Sequence, residues 1–220
     1  MARIVITGAS RGIGLELARQ LGARGEEVVA AVRRASEGLA GAGCEVVEGV
    51  DVTSDEGAQR LLDALAGRRV DVLVNNAGLL VPDTLASLDF DDAMRQYAVN
   101  ALGPVRISRA LLPLMEEGGK IGIVTSRVGS LADNSSGGNW GYRMSKAAAN
   151  MAAVNLAVEL KGRGIAVAAL HPGYVRTDMT RGQGFISAEA AARGLILRLD
   201  ELTMERTGTF WHADGQELPW

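Results

Sequence analysis

Apolar residues follow two rhythms along this chain. Short unbroken runs, Ile4-Val5-Ile6, Val28 to Val32, Val46-Val47, Val70 to Val74, Ile121 to Val124 and Ile165 to Leu170, have the length and branched side chains of strands buried on both faces. Between them lie Ile13–Ala23, Asp55–Leu65, Asp89–Met115, Ser145–Leu160 and Ala188–Leu199, whose apolar residues return every three or four positions, as one face of a helix requires. Phe210-Trp211 supplies a last strand. Strands alternating with helices must run parallel through right-handed crossovers, so the pattern predicts an α/β doubly wound parallel sheet with helices on both faces.

Polar residues mark the helix starts. Thr53, three residues before Glu56, reads as a capping box for Asp55–Leu65, and Ser187 opens the helix at Ala188. Asp89, Asp91 and Asp92 favour a helix N-terminus through the macrodipole rather than a bound cation. No proline-rich linker, repeat or charge block divides the chain, so residues 1–220 read as a single domain.

Composition narrows the picture. Glycine supplies 28 of 220 residues without a period, which implies many tight turns and close backbone approaches. Hydrophobic residues at 47% are ample for a core, and 23 basic against 26 acidic residues leave a net charge of −3. That balance argues against a nucleic-acid or membrane partner but leaves room for a small anion in a local basic pocket. The lone Cys44 excludes an intrachain disulfide and a cysteine-rich metal site. His171 and His212 have no partners at metal-ligand spacing, so no metal is expected. The first apolar run breaks at Thr7-Gly8 before a signal core forms, and no apolar stretch approaches the ~18 residues of a spanning helix. A cytoplasmic location is expected. Asn134-Ser135-Ser136, in the polar loop Asp133–Asn139, matches a glycosylation acceptor by chance in that setting.

The candidate chemistry begins where the first strand meets the first helix. Thr7-Gly8-Ala9-Ser10-Arg11-Gly12-Ile13-Gly14 allows a sharp turn, close backbone approach to a pyrophosphate and an anion at the helix N-terminus. At the end of the second strand, where an acidic residue would bind the ribose hydroxyls of NAD, stand Arg33-Arg34, and Arg11 lies within the turn itself. Cations without a carboxylate there favour NADP(H) over NAD(H). Tyr142 and Lys146, four residues apart, share one helix face. An ammonium beside the phenol is expected to pull its pKa down from about 10.

In these motifs and their order the sequence resembles the short-chain dehydrogenase/reductase family from Thr7 to the carboxyl end, which implies a single Rossmann-type domain. The likeness rests on the glycine turn, Asp51-Val52, Asn75-Asn76-Ala77-Gly78, Asn100, Ser126, Tyr142 with Lys146, and Pro172-Gly173 with Thr177. Within the family it is to the small carbonyl-reductase-like branch that includes sniffer and the myxobacterial C-factor, carried by Asn134 to Trp140, Tyr142 to Lys146 and Asp214 to Trp220. The resemblance implies an NADP(H)-dependent oxidoreductase that interconverts a small-molecule carbonyl and alcohol. Its implied catalytic set is Asn100, which anchors a relay water, with Ser126, Tyr142 and Lys146. The implied cofactor contacts are Gly8, Ser10, Arg11, Gly12, Ile13, Gly14, Arg33, Asp51, Val52, Asn76, Ala77, Gly78, Tyr142, Lys146, Pro172, Gly173, Val175 and Thr177. It also implies a homodimer or homotetramer pairing through Asp89–Met115 and the helix bearing Tyr142.

Two departures bear on the pocket. The interval from Ser126 to Tyr142 is a few residues longer than is common in the family, the excess falling in the Asp133–Asn139 loop, and Trp140 either lines the substrate site or packs under that loop. Only Asp178–Ile186 follows Thr177 where many relatives have a longer lid, which predicts an open, modestly selective site. The rival reading is a signalling or sensory protein that binds the dinucleotide with little or no turnover.

Overall fold

A computed structural model describes residues 1–220, with strands Arg3–Thr7 (β1), Glu27–Ala31 (β2), Cys44–Val47 (β3), Val72–Asn75 (β4), Lys120–Val124 (β5), Ala166–His171 (β6), Val175–Arg176 (β7), Ile186–Ser187 (β8) and Thr209–His212 (β9). Seven of them form one parallel sheet in the order β3-β2-β1-β4-β5-β6-β9. The helices are Gly12–Ala23 (α1), Asp55–Leu65 (α2), Phe90–Tyr97 (α3), Gly103–Leu111 (α4), Trp140–Leu160 (α5) and Ala188–Asp200 (α6). Side chains alternate across the strands: Ile4 and Ile6 face the layer containing Leu17, Leu21 and Leu195, while Val5 faces the layer containing Leu61, Ile107 and Ala153. Burial on both sides explains why these strands read as continuous apolar runs. The fold is the Rossmann-like α/β sheet that the alternation predicted.

The expected long helix Asp89–Met115 is interrupted. Ala98–Leu102 forms a π-turn between α3 and α4, and Leu112–Leu114 closes the run as a tight 3₁₀ turn. Pro104 is the physical reason: it has no N–H to give the carbonyl of Asn100, four residues back, and its ring crowds that carbonyl. The turn widens, and the N–H of Gly103 bonds Ala98, five residues earlier. Asn100 sits at the centre of this distortion.

Capping is also shifted at α2. Ser54, not Thr53, caps it by accepting from the N–H of Gly57 at 3.0 Å, while the Thr53 hydroxyl donates to Asp51 Oδ1 at 2.7 Å. Asp89 accepts from the N–H groups of Asp91 and Asp92, and Ser187 from that of Ala190, so the expected acidic and serine starts of α3 and α6 hold. Helix α5 begins at Trp140, five residues ahead of the apolar periodicity. Trp140 is 41% exposed. No helix is long and apolar enough to cross a membrane.

Candidate active site at the carboxyl edge of the sheet

The carboxyl ends of β1, β4, β5 and β6 open on one edge, where ligands of open α/β sheets bind. At β1 the chain turns through Gly8 and Gly12, both at positive φ (+68° and +55°), into α1. Helix α1 has no side-chain cap and no acidic residue in its first turn, and the N–H groups of Gly12, Ile13 and Gly14 bond nothing within the chain. By contrast α2, α3 and α6 are each capped by their own serine or aspartate. Unspent donors at the positive end of a helix fit a phosphate group. The three glycines divide the work differently from the expectation that all make room for a pyrophosphate. A Cβ on Gly8 would stand 2.8 Å from Ala77 Cα, and one on Gly14 2.5 Å from Asn76 Nδ2, so these two admit the protein's own loop. Gly12 meets only the side chain of Thr177, at 3.4 Å.

That loop follows β4. Asn76 Nδ2 donates to the carbonyls of Thr7 and Gly8 at 3.0 and 3.2 Å, and the Thr7 hydroxyl accepts from the N–H groups of Asn76 and Ala77, both at 3.1 Å. Thr7, the first residue of the glycine motif, therefore joins the site through its hydroxyl. Asn75 is buried and donates to Ser108 Oγ. Asp51 and Val52 lie after β3. Thr53 bonds the Asp51 carboxylate and, with the nearby charges of Arg33 and Arg106, holds it below the usual range. Arg33 and Arg34 are exposed and make no ion pair, whereas Arg11 pairs with Asp178 at 3.2 Å.

Ser126, Tyr142 and Lys146 converge beyond β5. Ser126 is buried as the first residue of a short turn, and that turn lies against α5 so tightly that a Cβ on Gly129 would stand 2.6 Å from the carbonyl carbon of Lys146. Gly129 is a site residue with no motif to reveal it. Lys146 is buried, and its Nζ donates to the carbonyl of Val124 at 2.9 Å and lies 5.6 Å from the centre of the Tyr142 ring. The ionisations run opposite to the sequence expectation. Burial pushes the Tyr142 phenol up to about 12, against the pull of the Ser126 hydroxyl, and pushes the Lys146 ammonium down to about 8. Desolvation of the phenol outweighs the pull expected of Lys146, whose ammonium points to a backbone carbonyl. Asn100 is also buried. Its Oδ1 accepts from the N–H of Leu79 at 2.7 Å, and its Nδ2 donates to the Leu79 carbonyl and to Ser145 Oγ. Its carboxamide is thus spent on protein partners, and Pro104 offers its backbone carbonyl no N–H four residues on.

The chain after β6 folds back over the glycine turn. Gly173, at φ +90°, packs against Ile186, Val175 pairs with Ile186, and Thr177 overlies Gly12. The two-residue strands β7 and β8 escape a sequence reading, but they give the short Asp178–Ile186 segment an anchored base. Its tip is open: Phe185 is fully outside and meets Tyr174 edge-on at 5.5 Å. His171 and His212 pack ring to ring at 4.9 Å, and burial holds His171 uncharged, down to about 3.

Residues 2–184 match the family model described as short chain dehydrogenase. The chain belongs to this family. As a short-chain dehydrogenase it is 46% identical, over all of both chains, to the 1-hydroxy-2-glutathionyl-2-methyl-3-butene dehydrogenase of Rhodococcus. It is 42% identical over 154 residues to the C-signal of Myxococcus xanthus, covering 69% of this chain and 93% of that protein. Its structure resembles the NADPH-bound carbonyl reductase of chicken fatty liver (TM-score 0.90, 27% identity, 100% and 99% of the two chains). It also resembles the carbonyl reductase Sniffer of D. melanogaster (TM-score 0.91, 26% identity, all of both chains). The branch read from the loop and the carboxyl end is therefore the right one within the short-chain dehydrogenases.

Proposed function

We propose that this short-chain dehydrogenase acts as one domain that interconverts a carbonyl and an alcohol with NADP(H), Tyr142 serving as acid and base. The observation that carries the reading is the convergence of Ser126, Tyr142 and Lys146 on the sheet edge that also holds the uncapped start of α1. The nicotinamide dinucleotide, when bound, supplies or accepts the hydride. Gly12, Ile13 and Gly14 would hold its pyrophosphate, with Ser10 and Arg11 in the same turn. Asp51 and Val52 would meet the adenine. Asn76, Ala77, Gly78, Pro172, Gly173, Val175 and Thr177 would line the remaining length. Ser126 orients the substrate oxygen. A phenol held near 12 is fully protonated at neutral pH, so Tyr142 stands ready to donate to the oxygen of a carbonyl undergoing reduction. Lys146, linked to solvent by a water that Asn100 would anchor, would return the proton. The direct test is loss of NADPH absorbance with a panel of ketones and aldehydes. Because the Rhodococcus relative is named for an alcohol bearing a glutathionyl group, the panel includes carbonyls with thioether-linked polar substituents.

The unpaired Arg33 supports the choice of NADP(H), as does the NADPH bound to the chicken reductase. Arg33→Asp should weaken NADPH at least tenfold, about 1.4 kcal/mol, while NADH changes little. Equal loss for both dinucleotides, measured by fluorescence titration, would remove the 2′-phosphate role. Exposed Phe90, Met94, Met151 and Val158 on α3 and α5 favour a homodimer or homotetramer paired through those helices, which sedimentation would read as two or four chain masses. The single cysteine favours a cytoplasmic location. The likeness to the Myxococcus C-signal favours the second reading, a signalling or sensory protein that holds the dinucleotide; tight NADPH binding with no turnover across the whole panel would select it.

A further inference from the structure

Alternate residues of the loop after β4 are fastened to helices. Leu79 is clamped through its N–H and carbonyl by Asn100, and Val81 donates to Oε1 of the buried Gln96 at 2.9 Å. Asp83 makes the third attachment, to α5. Its Oδ1 accepts from the N–H of Trp140, its Oδ2 from that of Gly141 at 3.0 Å, and its backbone carbonyl from that of Asn139 at 3.0 Å. Three consecutive N–H groups at the start of α5 are satisfied by one residue 57 positions earlier in the chain.

The helix needs it. Asn139, in the capping position, is left-handed (φ 45°, ψ 51°) and its side chain makes no capping bond. Gly141 fixes the same turn sideways, since a Cβ there would stand 2.6 Å from Gln96 Nε2 and 3.0 Å from Ala93 Cα. The next residue is Tyr142, and Lys146 follows one turn on.

We propose that Asp83 is a positioning residue for Tyr142. Taking Tyr142 as the acid and base, as proposed above, the carboxylate sets where the first turn of α5 stops along its axis. That holds the phenol level with Ser126 and ties it to the loop that begins at Asn76. A reacting group displaced by about 1 Å costs on the order of 10²-fold in rate, so the attachment should be visible in turnover.

Asp83→Ala should lower kcat by about 10- to 100-fold, with NADPH dissociation constant and substrate KM each within about threefold of wild type. Asp83→Glu, which keeps both acceptor oxygens, should recover most of kcat. Where the alanine variant fails to fold, Asp83→Asn, which keeps one acceptor, carries the test. Hydrogen exchange at the amides of Trp140 and Gly141 should quicken in the alanine and asparagine variants. A wild-type kcat in either of them at a temperature below melting overturns the proposal. So does a loss that lies wholly in NADPH affinity, or a glutamate variant no better than alanine. If the wild-type protein itself turns over nothing in the panel, the proposed activity fails on its own. The positioning claim is then decided by exchange alone: unchanged protection of the Trp140 and Gly141 amides overturns it, and faster exchange confined to the start of α5 upholds it.

Discussion

Tyr142→Phe should lower the rate of hydride transfer by about 10²- to 10⁴-fold, the usual worth of general acid–base catalysis and about 3 to 5 kcal/mol of barrier. NADPH affinity should stay within about threefold of wild type, because the change removes one hydroxyl and none of the groups that would hold a phosphate. Phenylalanine fills the same volume, Lys146 keeps its bond to the carbonyl of Val124, and the half-buried tyrosine forfeits only its contact with Ser126. Fold stability should therefore be unchanged or slightly higher. The separation of effects is what makes the variant decisive. Single-turnover reduction of a carbonyl from the panel reads the proton-donating step directly, and an undiminished rate would remove Tyr142 as the acid.

The main elements of the sheet were legible because parallel strands covered on both faces must be apolar at every position, as in Val28 to Val32 and Ile165 to Leu170. The glycine turn was legible because its glycines sit between the first strand and the first helix. What escaped the sequence depends on partners far away in the chain. The start of α5 is set by Asp83: Asn139 is a capping residue type in the capping place, but its backbone is left-handed and its side chain makes no cap bond, so the sequence signal there is not the one the helix uses. The ladder of β7 and β8 has two residues on each side, too few for an alternation to register. The π-turn at Asn100 did leave a trace in Pro104, which stands in the middle of the expected Asp89–Met115 helix, where a proline removes a hydrogen bond and kinks or breaks the run. The direction of the Tyr142 shift could not be read at all. Helical spacing places Lys146 near the phenol, yet burial, a property of the whole fold, outweighs that proximity.

Gly14→Val should have the largest effect on the fold itself. Gly14 is buried within α1, and the space a side chain would need is occupied by Asn76 Nδ2 and the carbonyl of Gly8, both 2.5 Å from the position of a Cβ, with Ala9 Cα at 2.9 Å. None of the three yields cheaply. Asn76 holds the Thr7 and Gly8 carbonyls, so moving it breaks two hydrogen bonds that join the loop after β4 to the glycine turn. Overpacking costs about 1–3 kcal/mol and each lost bond about 1 more, so a loss of roughly 3–5 kcal/mol is expected. At about 2–4 °C per kcal/mol for a chain of this size, thermal unfolding should fall by roughly 6–20 °C. NADPH affinity should fall by at least about 100-fold in the molecules that still fold, because the displaced backbone carries the free N–H groups of Gly12 to Gly14. Gly162→Ala is the control. It has ordinary backbone angles and no atom within 4 Å of a new Cβ, so it should change stability by less than about 0.5 kcal/mol and leave NADPH binding intact. A Gly14→Val protein that melts and binds NADPH like wild type would show that the loop after β4 can retreat from α1 without moving the glycine turn, and the coupling through Asn76 would be wrong.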